Sequence, residues 1–473
     1  MKSVIHWFRR DLRITDNSAL NAAASLSDQV VPVYVVSDWR ANHRWTGPNR
    51  QSFLCGCLAS LAQSLKEIGG SLVIRQGDAV EALEALALES RAEAIFFNRD
   101  PDPFGREIER RIQKMAASHG IAIHDVKDVC VHERDDVLTG AGESYRVFTP
   151  YSKAWAKLPR PVVAGRLKSL RTPGGIKSLP LPTIRSWALK NPPSSIPGMV
   201  EPGERAARAR MDDLLANRLA GYATGRDMPA AGATSRLSQD LRFGLLSIRE
   251  LIQACEARSE NLPAPGRDSA GKFLSELIWR EFYMQILWHF PEVLDSEFNP
   301  VFRGMEWPGR TANFARWCAG ETGFPIVDAA MRELNATGFM HNRARMISAM
   351  FLTKDLHLDW RLGESYFMQK LVDGEIASNN GGWQWSAGTG ADAAPYFRIQ
   401  NPWTQTKRYD PQAAYIKAWL PELQDVAPER LCQPPAPGCR LAKNYPAPAV
   451  DHAAAREVTL DLFARVRRRP DSR

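Results

Sequence analysis

Five short apolar runs, at residues 4–8, 30–36, 71–75, 94–97 and 121–126, open the chain, and longer amphipathic stretches at 50–68, 79–90 and 104–119 lie between them. The runs are apolar throughout rather than alternating. A strand reads that way when both faces of its sheet are covered. Helices between such strands give the βαβ rhythm of a doubly wound parallel sheet, so the first part of the chain is predicted to be α/β. After the first run stands Arg9-Arg10-Asp11-Leu12-Arg13 in place of G-x-G-x-x-G. The usual dinucleotide fingerprint is therefore absent from this domain.

Periodicity fades between residues 159 and 202, where prolines crowd the sequence. This reads as a connector lying over the surface. Helical spacing then returns at 205–222, 248–257, 270–289, 326–337, 341–355 and 364–371. The expected division is an α/β domain over 1–135, a connector over 136–203 and an all-helical domain over 204–473. The basic end, 465–473, is expected to be a solvated tail. No apolar stretch reaches the roughly 20 residues of a membrane span. The first residues show no apolar leader, which points to the cytoplasm. No heptad stripe is visible, and a monomer is expected. The 7 cysteines lack metal-ligand spacing, so free thiols and no metal site are expected. A net charge of +8 favours polyanionic partners, though only weakly.

Nine of the 14 tryptophans fall after residue 270, where four runs carry chemistry. In the first, Glu276, Trp279, Arg280 and Tyr283 recur at i, i+3, i+4 and i+7, so one helix face combines an acid, two large rings and a guanidinium. Such a face suits a pocket for a flat ligand; an ordinary surface helix with a Glu276–Arg280 pair is the alternative. In the second, Asn342 and Met346 share a face, while Arg343 and Arg345 point to different sides. The third is Asp373-Gly374-Glu375-Ile376-Ala377-Ser378-Asn379-Asn380-Gly381-Gly382-Trp383-Gln384-Trp385. Its glycines permit close backbone approach to a ring and its acids and amides suit a polar ring edge; a turn-rich loop is the alternative. The fourth, Thr234-Ser235-Arg236-Leu237-Ser238 after Tyr222, offers hydroxyls and a guanidinium to a phosphate, or serves as a helix cap alone.

Together with Trp7-Phe8-Arg9-Arg10-Asp11-Leu12-Arg13-x-x-Asp16-Asn17, 324–332 and 392–398, these runs resemble the photolyase/cryptochrome family over nearly the whole chain. The resemblance implies FAD, bent, inside the helical domain. It would be held by Tyr222, Thr234, Ser235, Arg236, Leu237, Ser238, Phe273, Arg280, Asn342, Arg345, Asp373, Gly374, Glu375 and Asn379. Glu375 replaces the usual Asp, and Phe339 and Phe273 stand where some members have Trp.

Glu276, Trp279, Asn342, Met346 and Trp385 match the members that split cyclobutane pyrimidine dimers in UV-damaged DNA. The implied reaction is light-driven: an electron passes from excited reduced FAD to a flipped-out dimer, and returns after the ring opens. Glu276, Asn342 and Met346 would form the catalytic pocket. Trp279, Tyr283 and Trp385 would face the extruded dimer, with Arg226, Arg343 and Gln405 on the DNA backbone. Trp307, Trp360 and Trp383 match the family's electron relay. His43, Arg50 and Asp100 are candidates for a second chromophore site, with a reduced folate, an 8-hydroxydeazaflavin or an empty site left open. The alternatives are a cryptochrome-type blue-light receptor and an enzyme for the (6-4) photoproduct.

Overall fold

The computed structural model describes residues 2–37, 45–183, 200–393, 395 and 397–468. The five apolar runs form β1 (Val4–Phe8), β2 (Val30–Val36), β3 (Val73–Gln76), β4 (Ala94–Asn98) and β5 (Ala122–Val126). All neighbours are parallel, in the order β3-β2-β1-β4-β5. The crossovers carry α1 (Ser18–Leu26), α2 (Pro48–Glu67), α3 (Ala79–Ser90) and α4 (Pro103–His119).

Alternate residues of β1 serve two different cores. Ile5 and Trp7 pack with Leu83, Leu86, Ile112 and Met115 of α3 and α4. Val4 and Phe8 face α1 and α2 in a second core, which continues without a break into Leu214, Leu241 and Phe273 of the helical half. A sheet covered on both faces explains the unbroken apolar strands.

Within 136–203 lies a helix that the sequence reading did not foresee, α5 (Phe148–Lys157), whose Phe148, Tyr151 and Trp155 are buried. The irregular chain after it lies along the α/β domain, where Leu167, Leu170 and Leu179 donate their backbone N–H to Ile14, Ile68 and Ile74.

The second half comprises α6 (Glu204–Asp213), α7 (Tyr222–Gly225), α8 (Ser238–Phe243), α9 (Ile248–Glu260), α10 (Ala264–His289), α11 (Thr311–Ala319), α12 (Pro325–Thr337), α13 (Asn342–Met350), α14 (Trp360–Lys370) and α15 (Ile376–Ala387). They are followed by α16 (Pro402–Tyr409), α17 (Ala414–Trp419), α18 (Pro428–Leu431) and α19 (His452–Arg467). The stretches read as continuous helix at 205–222 and 341–355 each pass through a π-helical turn, Leu214–Arg218 and Phe351–Asp355. The expected basic tail begins too early: Arg465 and Arg467 lie in the last turn of α19, with Arg465 paired to Asp461. All seven cysteines are free. Among the described residues no helix is long and apolar enough to cross a membrane.

A buried ionic network joins the halves, and the opening run Trp7–Asn17 supplies one side of it. Arg13 donates to both carboxylate oxygens of Asp128 at 2.8 Å and to the carbonyl of Gly244 at 3.1 Å. Arg249 donates to Asp16 at 3.0 Å and to Asp128 at 2.8 Å. Arg10 bridges Asp100 at 3.0 Å and Glu375 at 3.2 Å. Buried charges are tolerable only when paired in this way.

Candidate active site

Three helices turn matching stripes onto one cavity of about 320 Å³: Phe273, Glu276, Leu277 and Arg280 from α10; Asn342, Arg345, Met346 and Ala349 from α13; Ser378, Asn379, Gly382, Trp383 and Ser386 from α15. Spacings of three and four residues keep each set on one helix face. Tyr222 of α7, Ser238, Leu241 and Arg242 of α8, and Phe367 of α14 close the remaining walls, and Ser235, Leu237, Asp373, Gly374 and Glu375 reach the cavity from the segments between.

Most of the residues expected to hold a cofactor therefore meet in one place. Thr234 and Arg236 do not line the cavity. The Thr234 carbonyl accepts from Arg218 at 2.9 Å. Arg236, at φ 55°, lays its guanidinium 3.6 Å from the centre of the Phe339 ring. Arg345 approaches the same ring at 5.6 Å, so Phe339 keeps its aromatic wall between two cations.

The run read as a Gly-rich loop or ligand cradle is mostly helix α15. Glu375 caps it, accepting from the Ser378 N–H at 3.0 Å. Its longer side chain also reaches Arg10, so the departure from Asp builds a bridge to the α/β domain. Burial opposes charge on Glu375, but Arg10, Arg242 and Arg280 outweigh it and hold the carboxyl below its usual range. Asp373 is likewise lowered despite burial, chiefly by Arg345 at 2.8 Å. Burial lowers Arg242 to about 10 and also lowers Arg280.

The two carboxylates and three guanidiniums give the cavity a polar floor. Its walls are apolar, with Phe273 edge-on to Tyr222 at 5.1 Å. Two buried polar atoms there, Oδ1 of Asp373 and Nε1 of Trp383, have no hydrogen-bond partner in the protein. Orphaned polar atoms beside cations and aromatic walls fit a flat, partly anionic ligand, as FAD is.

Glu276 does not pair with Arg280. It is held by Arg226 and lies 3.8 Å from Lys272, while Arg280 donates to the Val129 carbonyl at 2.8 Å. Leu277, next to Glu276 in sequence, also lines the cavity. Asn342 is exposed and Glu276 and Met346 are part-exposed, so these three stand at the open side.

Trp279, Tyr283 and Trp385 are half-buried and lie outside the cavity lining. One face of Trp279 is already covered by Phe148, at 3.7 Å and 7°. Arg343 pairs with Asp227 at 2.6 Å and sits 4.5 Å from the centre of the Tyr409 ring; Gln405 is half-buried on α16.

Trp383 reaches the cavity because Gly363 has no side chain: a Cβ there would lie 2.0 Å from the indole. Its ring neighbours are Phe367 at 4.9 Å and Trp317 at 6.0 Å, which sequence reading did not single out. Trp360 is fully buried with its N–H on Glu297 at 3.1 Å, and Trp307 is part-buried.

Of the residues expected around a second chromophore, the two that are described, Arg50 and Asp100, do not line a common hollow. His43 lies outside the described residues. Arg50 is spent on the carbonyls of Trp45, Met368 and Leu371, at 2.6 to 3.3 Å, tying α2 to α14. Asp100 pairs with Arg10 and borders a separate hollow of only about 20 Å³. Sequence reading also missed Arg242. Its position four residues after Ser238 on one helix face was the available signal.

Comparison with known proteins agrees with this architecture. The family model for DNA photolyase matches residues 4–168, and that for the FAD binding domain of DNA photolyase matches 273–465. A deoxyribodipyrimidine photo-lyase from Synechococcus sp. is 39% identical, over 95% of this chain and 94% of that protein. The crystal structure of a class III photolyase from Agrobacterium tumefaciens superposes with a TM-score of 0.91 at 36% identity, covering 99% of this chain and 98% of that one. A cryptochrome from Synechocystis sp. gives 0.87 at 29% identity, covering 98% and 99%. The chain belongs to the DNA photolyase family.

Proposed function

We propose that the protein splits cyclobutane pyrimidine dimers in UV-damaged DNA, using light and FAD. One observation carries this reading: Glu276, Asn342 and Met346 open onto the same cavity as Arg280, Arg345, Asp373 and Asn379. Residues suited to a pyrimidine and residues suited to a flavin thus share one enclosure.

Arg242, Arg280 and Arg345 would hold FAD by its negative charge, and Asp373 and Asn379 would fix the polar edge of its ring. Bound in its reduced form, FAD would supply an electron under illumination and recover it after the ring opens, with no net redox change. The protein's part is to orient and to exclude water. Phe273, Leu277, Ala349 and Trp383 keep the cavity dry. There, charges and dipoles act at low dielectric. Glu276 would accept the imide N–H of an extruded pyrimidine and fix the carbonyls beside it. Asn342 and Met346 border the same opening. Trp279, Tyr283 and Trp385 would guide the dimer inward. A damaged step costs only a few kcal/mol to flip, less than intact stacked bases; photolyases are among the stock examples of this behaviour. Arg226, Arg343 and Gln405 would contact the phosphate backbone. Trp383, Trp360 and Trp307 would relay electrons from an external reductant, entering at the part-exposed Trp307 and passing through the core to the cavity wall, when FAD is bound oxidised. The reading takes the protein as a monomer acting in the cytoplasm.

The test is Glu276→Ala. The variant should keep FAD and dimer-containing DNA in the dark but lose most of its repair per absorbed photon. Unchanged yield would refute the assignment.

A further inference from the structure

Four charges alternate across the open side of the cavity. Arg343 of α13 pairs with Asp227 at 2.6 Å, Asp227 lies 3.8 Å from Arg226, and Arg226 pairs with Glu276 of α10. Glu276 belongs to the cavity wall, and Arg343 also contacts the sulfur of Met346, another wall residue, at 3.8 Å. Asp227 is the most exposed of the four, with 37% of its side chain accessible. The chain is neutral as a unit, so the two arginines best placed for DNA present no net charge to it.

We infer that Asp227 is a built-in stand-in for a DNA phosphate, and that the Arg343–Asp227–Arg226–Glu276 chain makes the grip on the backbone depend on a lesion at Glu276. The inference rests on the proposed reading of the pocket. Undamaged DNA offers the rim only phosphates. A phosphate must displace Asp227 from Arg343 against like-charge repulsion, and nothing compensates. An extruded dimer offers Glu276 an N–H donor. As Glu276 turns to it, Arg226 loses its partner and closes the short gap to Asp227. Arg343 is then released to a phosphate. Asp227 thereby weakens binding where no base is extruded and yields where one is. Only hydrogen bonds and ion pairs are exchanged; no covalent step is involved.

The experiment uses the full chain loaded with FAD, in the dark. Binding is measured to a duplex with one thymine dimer and to the same duplex undamaged, over a range of salt. Asp227→Asn should raise affinity for undamaged duplex about tenfold and for damaged duplex no more than about twofold. The salt dependence of undamaged binding should steepen by about one released ion. Glu276→Gln, which frees Arg226 in the same way, should also tighten undamaged binding. Asp268→Asn, an exposed acid on α10 outside the chain, should shift both affinities equally and slightly. Flavin absorbance and far-ultraviolet circular dichroism establish that each variant is folded. Equal shifts for Asp227→Asn on the two duplexes, or none from Glu276→Gln, would overturn the inference alone. A wild-type protein with no preference for damaged duplex would overturn the pocket reading with it.

Discussion

A single methyl group at Gly382 would bear directly on the flavin that the cavity is proposed to hold. Gly382 lies inside α15 on the cavity wall, and a Cβ built there meets nothing within 4 Å. In the absence of cofactor, Gly382→Ala therefore causes no clash. It removes a helix-interior glycine, which should stabilise the apoprotein by about 0.8–1 kcal/mol. With a ring filling the cavity the same methyl overpacks it, at a cost of about 1–3 kcal/mol. That corresponds to about 5- to 150-fold weaker FAD binding. The neighbouring glycine is the control. A Cβ at Gly381 would lie 2.1 Å from the Tyr283 ring, so Gly381→Ala should destabilise the protein whether or not FAD is present. Urea unfolding of the apoprotein and fluorescence titration with FAD separate the two effects. If Gly382→Ala binds FAD as tightly as the wild type, the flavin does not occupy this cavity in the way described.

Two further outcomes follow from the same geometry. Trp383→Phe should bind FAD and repair DNA when reduced beforehand, but should lose photoreduction from the oxidised state; photoreduction at the wild-type rate would refute the relay. His341 caps α13 by accepting the Arg343 N–H at 3.1 Å, and burial, with Arg345 and Arg343 nearby, lowers it to about 4. Below pH 6.5 the unfolded chain therefore takes up a proton that the folded chain refuses until about pH 4. Stability from this site is complete above that window and is lost as pH falls through it, by up to about 1.4 kcal/mol per unit. His341→Asn preserves a capping acceptor and should flatten the acid side of a urea-midpoint profile; an unchanged slope would count against a neutral, buried His341.

The strands were legible because burial on both faces writes itself as unbroken apolar sequence. Val4–Phe8 and Val30–Val36 have the bounds that reading gave them. The α15 helix was not legible. Its Asn and Gly content argues against helix by propensity, yet Gly381 is what admits the Tyr283 ring, and packing decides. Most cavity residues were named by the resemblance; helical spacing alone gave Glu276 with Arg280, and Asn342 with Met346. Arg280 was named only as an alternative partner for Glu276: sequence spacing exposes such an intrahelical candidate, but not Arg226, fifty residues away. The charged opening run was read only as a family mark. Its partners, Asp128, Arg249 and Glu375, lie far along the chain, so its role in bolting the domains together appears only in the fold. Arg50 illustrates the converse: a cation in a helix suggests a ligand, but burial assigned it to backbone carbonyls.

The most direct test of the central claim is repair itself. Purified protein, loaded with FAD and reduced, is mixed with an oligothymidine containing cyclobutane dimers and illuminated with near-ultraviolet to blue light. Thymine absorbance should return under light and not in the dark. No recovery, with FAD bound and reduced, would contradict it.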